Sequence, residues 1–144
     1  MITYFDSSSI VKLFIDEQYS DIARLARDEA DTVFTSILSY PEVLSAFNRA
    51  SQEGRYKKTD MEKARAEFQR EWNNFRLIKV DETLINSTME LIFEHNLRGY
   101  DAVHLASALV IQNEGELSDL FFSCFDRNLN KAAKKEGLLI HEFG

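Results

Sequence analysis

Four acidic residues stand apart from the other acids because of where they fall in the apolar pattern of the chain. Asp6 and Asp126 directly follow the runs ITYF and LFFSCF, which predict strands. Glu42 lies in the first turn of the predicted helix after TVFTS, and Asp101 heads the apolar run AVHLASALVI. In an open parallel sheet the carboxyl ends of strands and the amino ends of the following helices share one edge, where such folds bind ligands. We therefore expect these four carboxylates to converge.

Converging carboxylates predict a metal site. Carboxylates at one edge would repel one another and raise their own pKa values unless a cation neutralised them. Oxygen ligands of this kind suit Mg²⁺ or Mn²⁺, and the chain has no cysteine–histidine cluster of the kind that holds structural zinc. A divalent cation polarises a phosphoryl oxygen and lowers the pKa of a bound water, which supports phosphodiester hydrolysis. A carboxylate that does not bind the cation could orient the water or act as a general base.

Each acid also has a purely structural interpretation. Asp6 and Asp126 stand where helix N-caps are expected, and Glu42 has capping-box spacing from Ser39. Asp101 would complement the positive end of its helix. For one acid taken alone the structural interpretation is favoured, so the metal site depends on the convergence of all four.

The elements that must position these acids alternate along the chain. Five short runs predict strands, at 2–5, 32–36, 76–80, 119–125 and 138–143. Longer segments with helical periodicity separate them, at 7–17, 19–30, 39–54, 59–75, 81–96, 101–113 and 128–137. This alternation predicts an α/β fold with three layers, α/β/α, around a central, mostly parallel five-stranded sheet. No internal repeat or proline-rich linker divides the chain, so we expect a single domain over residues 1–144.

Composition limits the partners. The net charge of −7 argues against a general affinity for nucleic acid, but residues 49–76 carry eight basic and five acidic side chains, a net charge of +3 that leaves −10 elsewhere. No run is apolar enough to span a membrane and no secretory leader is visible, so we expect a cytoplasmic protein. The single cysteine, Cys124 in FFSCF, is predicted to be a buried thiol.

The four acids lie in segments that resemble the motifs of the PIN-domain ribonucleases, and among them the VapC-type toxins of bacterial and archaeal toxin–antitoxin systems. FDSSSIVKLF resembles the first motif, TSILSYPEVLSAF the second, YDAVHLASAL the third and SCFDRNLNKAAKKEGL the last, in the order of the family. Ser7 stands where threonine is frequent in the family, and residues 55–80 match no motif.

The resemblance implies a metal-dependent endoribonuclease that cuts single-stranded or looped RNA. It also implies a homodimer inhibited by a small antitoxin, whose C-terminal segment would cover the active groove. The implied site consists of four catalytic, metal-binding acids around Mg²⁺ or Mn²⁺ and two supporting serines: Asp6, Glu42, Asp101, Asp126, Ser8 and Ser123.

Other residues have two interpretations. The basic segment 49–76, with Tyr56, Phe68, Trp72 and Phe75, is a candidate path for RNA. The spacing of its last three aromatic residues also fits a helix face that is buried in the core or contacts an antitoxin. His104 follows Asp101 by three positions, and we interpret it as a packed or hydrogen-bonded histidine because a metal would already supply the hydroxide.

Two other functions fit a chain of this build. A phosphatase of the haloacid dehalogenase type needs a second aspartate two positions after the first, where this chain has Ser8. A non-catalytic module that binds protein or RNA would be expected to lack one or more of the four acids, and all four are present.

Overall fold

Five strands form one sheet at the centre of the computed structural model, which describes all 144 residues. The strands are β1 (Ile2–Phe5), β2 (Thr32–Ser36), β3 (Arg76–Ile78), β4 (Phe121–Ser123) and β5 (Leu139–Ile140). Their order across the sheet is β3-β2-β1-β4-β5, and all neighbouring pairs are parallel. The predicted sheet is confirmed, and it is parallel throughout.

Helices cover both faces of this sheet. They are α1 (Ser7–Phe14), α2 (Ser20–Glu29), α3 (Ser39–Gln52), α4 (Lys58–Glu71), α5 (Glu82–His95), α6 (Gly99–Glu114) and α7 (Arg127–Lys135), with a 3₁₀ turn at Trp72–Asn74. Successive side chains of a strand point to opposite faces, so Phe5 packs with α1 to α4 and Tyr4 packs with α5 to α7. The three-layer prediction is confirmed. No helix combines the length and the hydropathy needed to cross a membrane.

The start of α3 corrects the predicted capping box. Ser39 lies inside the helix, and Leu38 precedes it without a side-chain cap. The hydroxyl of Ser39 instead lies 2.7 Å from Oγ1 of Thr35, at the end of β2. Since Ser39 does not cap the helix, Glu42 has no box to complete, and the structural interpretation of this acid is wrong.

The other differences concern element ends. The helix predicted at 59–75 begins at Lys58 without a side-chain cap, and it ends at Glu71, where the chain tightens into the 3₁₀ turn. The edge strands β3 and β5 have only three and two residues, and short edge strands limit pairing with other chains. Helix α3 ends at Gln52, two residues before Gly54, whose φ of +71° is typical of a glycine that follows a helix.

The order of strands places a ligand site at the end of β1. The chain runs from β1 outward to β2 and β3, then returns to the other side of β1 with β4 and β5. Strand order therefore reverses beside β1, and the crevice outside the carboxyl ends of strands at such a reversal is where open α/β sheets bind ligands. Asp6 and Asp126 directly follow β1 and the loop after β4.

Helix α6 is buried along most of its first three turns. Residues 101–108 are all buried, including Ala102, Ala106 and Ala108, whose small side chains allow the helix to lie close to the sheet. A helix that is buried on most sides has little freedom to shift, because close packing resists displacement. The polar residues Asp101 and His104 on this helix are therefore held in fixed positions.

We expect Leu105→Ala in α6 to lower the free energy of unfolding by about 2–5 kcal/mol, because Leu105 is 0% exposed and its loss leaves a cavity. The matched control is Leu25→Ala in α2, where the side chain is 58% exposed and the expected change is below about 0.5 kcal/mol. Urea denaturation of both variants measures the difference. Equal losses would contradict the packing described for α6.

Candidate active site

Asp6 is held where β1 passes into α1. Its Oδ1 accepts hydrogen bonds from the backbone N–H of Ser9 at 2.9 Å and from Oγ of Ser8 at 2.8 Å. Burial raises the pKa of Asp6, and this effect outweighs the opposing influence of His104 and of the two hydrogen bonds. Oδ1 therefore caps the helix and fixes the side chain, while Oδ2 accepts no hydrogen bond from the protein. Ser8 lies within the acidic cluster, as the sequence predicted.

Ser123 acts on the site through the backbone. Its carbonyl oxygen accepts the N–H of Asp6 at 3.1 Å and the hydroxyl of Ser9 at 2.8 Å, and its own hydroxyl donates to Ser9 at 3.1 Å. These bonds join the carboxyl ends of β1 and β4. Ser123 makes no side-chain hydrogen bond with an acid, so its support consists of holding Asp6 in register with the adjacent strand.

Asp126 caps α7 and lines a cavity that Asp6 also lines. Its Oδ1 accepts the N–H of Leu129 at 2.8 Å, while Oδ2 lies 3.7 Å from Nη2 of Arg98. The side chain is 42% exposed, which makes it the most accessible of the three aspartates. The capping and ligand interpretations of Asp126 are compatible, because each uses a different oxygen.

Asp101 lies in the first turn of α6 with its carboxylate against Arg98. The distance from Nε of Arg98 to Oδ2 of Asp101 is 3.3 Å. Burial raises the pKa of Asp101, Arg98 opposes that effect, and the neighbouring charges of Asp126 and Asp6 raise the pKa further. Asp101 is thus sensitive to the charge of the other two aspartates.

Glu42 is bound by a hydrogen-bond network from three other elements. Its Oε1 accepts the hydroxyl of Ser7 at 2.6 Å and lies 2.8 Å from Nε2 of His104, whose Nδ1 is 2.7 Å from the hydroxyl of Tyr4. Partial burial acts to raise the pKa of Glu42, but the hydrogen bonds from His104 and Ser7 outweigh it and lower the pKa from its ordinary value. Glu42 is therefore ionised near neutral pH.

The same network assigns the protons of His104. An ionised Glu42 can only accept, so Nε2 of His104 carries a proton, and in the neutral ring Nδ1 then accepts the hydroxyl proton of Tyr4. His104 is buried, with both ring nitrogens bonded. The prediction of a packed, hydrogen-bonded histidine is confirmed, and its role is to orient Glu42.

All four predicted acids line one cavity of about 240 Å³ at the carboxyl edge of the sheet. Two cationic side chains, Lys12 and Arg98, share its wall, so two negative charges are uncompensated when the acids are ionised. The donors are all oxygens, and burial of Asp6 and Asp101 makes their mutual repulsion costly. This donor set fits a hard divalent cation such as Mg²⁺ or Mn²⁺.

A second cluster lies elsewhere. It contains one possible metal-ligand atom from each of Glu94, His95 and Glu136, and these atoms lie within 4.8 Å of one another. No three of the four cavity acids bring ligand atoms that close together. Nε2 of His95 is 2.7 Å from Oε2 of Glu136, and this contact joins the end of α5 to the end of α7. We interpret it as a packing contact. The wider spacing of the cavity acids agrees with their repulsion and with the presence of Arg98 beside two of them.

Sequence reasoning missed several residues of this site. Arg98 could have been found from its position three residues before Asp101, which places both side chains on one side of a helix start. Tyr4 and Lys12 carry no comparable signal. In the sequence Tyr4 looks like an ordinary strand residue, and Lys12 looks like an ordinary surface lysine. In the structure the ammonium of Lys12 lies 5.1 Å from the ring centre of Phe125.

A wider cleft adjoins the acidic cavity. Its volume is about 660 Å³, and it shares Ser7, Ser8, Lys12, Glu42 and Tyr100 with the cavity. The cleft continues past three cationic side chains, those of Lys12, Arg49 and Arg55.

Two aromatic residues of the predicted RNA path do not face this cleft. Phe68 and Phe75 are buried in the core between α1, α3 and α4, so the idea that they stack on RNA bases is wrong. Their helical spacing arises from core packing, which was the alternative interpretation. The basic residues at the start of segment 49–76 do border the cleft.

Comparison with known proteins agrees with the motifs and the fold. The family model described as PIN domain matches residues 3–135. Ribonuclease VapC45 of Mycobacterium tuberculosis is 33% identical over 136 residues, which cover 94% of this chain and 92% of that protein. FitAcB from Neisseria gonorrhoeae superposes with a TM-score of 0.67 at 13% identity, over 99% of this chain and 97% of that one. The toxin–antitoxin complex from Klebsiella pneumoniae gives a TM-score of 0.62 at 18% identity, over 95% of each chain. With a family match over nearly its whole length, this chain belongs to the PIN-domain family.

Proposed function

We propose that this protein is a divalent-metal-dependent endoribonuclease and the toxin of a type II, VapBC-like toxin–antitoxin pair. The observation that carries the proposal is the convergence of four carboxylates on one cavity that holds two uncompensated negative charges. The relative that is 33% identical over almost the entire chain is a ribonuclease by name, which supports the same reaction here.

The three aspartates are suited to direct coordination of Mg²⁺ or Mn²⁺. Asp6 and Asp126 each use Oδ1 for a helix cap and keep Oδ2 for a ligand, and Asp101 contributes from a buried helix that cannot easily move. A bound divalent cation would polarise the scissile phosphate and lower the pKa of the attacking water. The positions of the three carboxylates determine where the positive charge of the cation would lie.

Glu42 is suited to orienting the attacking water. Its Oε1 already accepts from Ser7 and is bonded to His104, which fixes the carboxylate and leaves Oε2 available. Because the pKa of Glu42 is lowered, the carboxylate can accept a hydrogen bond from water near neutral pH. Direct coordination by Glu42 stays a prediction alongside this role.

The wide cleft is suited to the RNA strand. A strand whose scissile phosphate lies over the acidic cavity would continue past Lys12, Arg49 and Arg55, and cationic side chains along a groove are the usual way to bind a phosphate backbone without reading sequence. The cleft wall also holds Glu17 and Glu42, so its net charge is +1 in a chain whose total charge is −7, and the cations make this surface more favourable to RNA than the rest of the protein.

The protein partner is a small antitoxin, and the surface we assign to it is an open apolar groove. Two of the groove's side chains, Ile37 and Leu77, are 49% and 39% exposed, and they lie beside Tyr40 and Trp72. An exposed apolar groove beside the active edge suits a segment of an inhibitor that also reaches the acids. The homodimer stays a prediction.

The two alternative functions receive no specific support. A non-catalytic module would have no need for four acids on one cavity, where their repulsion is a cost. In the phosphatase alternative a second aspartate should stand at Ser8, whose hydroxyl here donates to Asp6 at 2.8 Å.

We expect Asp101→Asn to reduce RNA cleavage by at least about a hundredfold, because it removes one of the negative charges that would hold the catalytic divalent cation. The measurement maps new RNA 5′ ends in cells that briefly express wild type or variant at matched protein level. Asp119→Asn, at an exposed site outside the cavity, is the control and should cleave like wild type. Identical 5′ ends from Asp101→Asn and wild type would refute the proposal.

We expect Tyr4→Phe to lower kcat about tenfold with little change in KM, because loss of the hydroxyl frees His104 and loosens the orientation of Glu42. The phenylalanine ring keeps the stacking on Phe122, so the fold should persist. Tyr56→Phe is the matched control, since Tyr56 lines neither the acidic cavity nor the wide cleft and its hydroxyl donates to the backbone carbonyl of Asp16. Steady-state cleavage of a short RNA distinguishes the two, and equal kcat values would contradict the positioning role of Tyr4.

A further inference from the structure

Arg98 is the one arginine within the acidic cavity, and it contacts two of the acids. It immediately precedes α6, with Nε 3.3 Å from Oδ2 of Asp101 and Nη2 3.7 Å from Oδ2 of Asp126. Its guanidinium carbon lies 5.0 Å from the ring centre of Tyr100. Arg98 thus bridges the carboxylates of two different helices at the entrance to the site.

The contacts of Arg98 are those of a loosely held counter-ion. Both distances are long for charge-assisted hydrogen bonds, and each carboxylate is approached by a single nitrogen, without the paired geometry of a tight arginine–carboxylate contact. The side chain is 65% exposed, so it can move at low cost. Its one packing contact, with the ring of Tyr100, lies on the exposed side of the cavity and does not bury the guanidinium.

The position of Arg98 conflicts with a bound cation. The oxygens that it approaches, Oδ2 of Asp101 and Oδ2 of Asp126, are ligand atoms of the proposed metal site. A guanidinium and a divalent cation on the same oxygens would repel each other across a few ångströms. The repulsion favours movement of Arg98, whose exposed side chain is free to leave the carboxylates.

A second partner lies within reach of the displaced guanidinium. Tyr100, on which Arg98 stacks, lines both the acidic cavity and the wide cleft that we assign to RNA. A guanidinium at this junction would meet a phosphate group beside the scissile bond, and arginine binds phosphate through two parallel hydrogen bonds.

We propose that Arg98 exchanges partners during the reaction cycle. It neutralises Asp101 and Asp126 before the divalent cation binds, and the cation then releases it to bind an RNA phosphate at the mouth of the cavity. This inference rests on the proposed function, and it adds a substrate-binding residue and competition between Arg98 and the metal.

Arg98→Gln should change the affinity for Mn²⁺ and the affinity for RNA in opposite directions. Without Arg98 the divalent cation has no competitor for the carboxylates, so Arg98→Gln should bind Mn²⁺ about fivefold more tightly, the size expected when binding no longer has to break an exposed ion pair. The same variant should bind RNA about tenfold more weakly, because a charged contact to phosphate is lost. A residue that only stabilises the fold would not strengthen Mn²⁺ binding.

The experiment measures both ligands separately on the intact chain. Calorimetric titration with Mn²⁺ in the absence of RNA gives the metal affinity. Fluorescence anisotropy of a labelled single-stranded RNA, with Ca²⁺ in place of Mn²⁺ to avoid cleavage, gives the RNA affinity. Arg24→Gln is the matched control, because it removes the same charge from α2, where Arg24 pairs with Asp16 at 2.7 Å. Thermal unfolding checks that all variants are folded.

Tighter Mn²⁺ binding together with weaker RNA binding in Arg98→Gln, and neither change in Arg24→Gln, supports the exchange. Unchanged or weaker Mn²⁺ binding in Arg98→Gln overturns it, and so does stronger Mn²⁺ binding with unaltered RNA affinity. If wild type and both variants all fail to bind Mn²⁺, the proposed function fails as well. If wild type binds Mn²⁺ and the two affinities do not move in opposite directions, only the role of Arg98 fails.

Discussion

Repulsion between carboxylates at one edge of a parallel sheet is the constraint on which the rest of this structure depends. Four acids line a single cavity, and burial raises the pKa values of Asp6 and Asp101, as expected where negative charges share a poorly solvated space. An arrangement of this kind persists only if other interactions hold the carboxylates and nearby positive charge, such as that of Lys12 and Arg98, offsets part of their repulsion. Asp6 and Asp126 are held because each caps a helix with one oxygen, and Glu42 is held by Ser7 and His104.

The remainder of the fold positions the acidic side chains at that edge of the sheet. The reversal of strand order beside β1 brings the ends of β1 and β4 together, and hydrogen bonds from Ser123 and Ser9 tie those ends. The burial of α6 fixes Asp101 from one side of the sheet, while α3 presents Glu42 from the other. Packing energy from both cores thus opposes the electrostatic cost of the site, which explains why an acid heads such an apolar helix.

The sheet and the four acids could be predicted because their signals are local. A strand followed by an aspartate, as at Asp6, is visible in a few residues, and the parallel order follows from the alternation of elements. The network from Tyr4 through His104 to Glu42 joins residues 100 and 62 positions apart in the chain, so no local pattern reveals it. The capping box at Ser39 failed for a different reason: the partner of the Ser39 hydroxyl, Thr35, is only four positions away, but residue types and spacing do not show which of two local partners a serine hydroxyl takes.

The most direct test of this account is the position of Mn²⁺ in a crystal of the protein, located by anomalous scattering. We expect one or two peaks within coordination distance of carboxylate oxygens from Asp6, Asp101 and Asp126, in the cavity of about 240 Å³. A crystal that binds Mn²⁺ only at Glu94, His95 and Glu136, or that shows no peak beside the three aspartates at saturating Mn²⁺, would contradict the assignment of the active site.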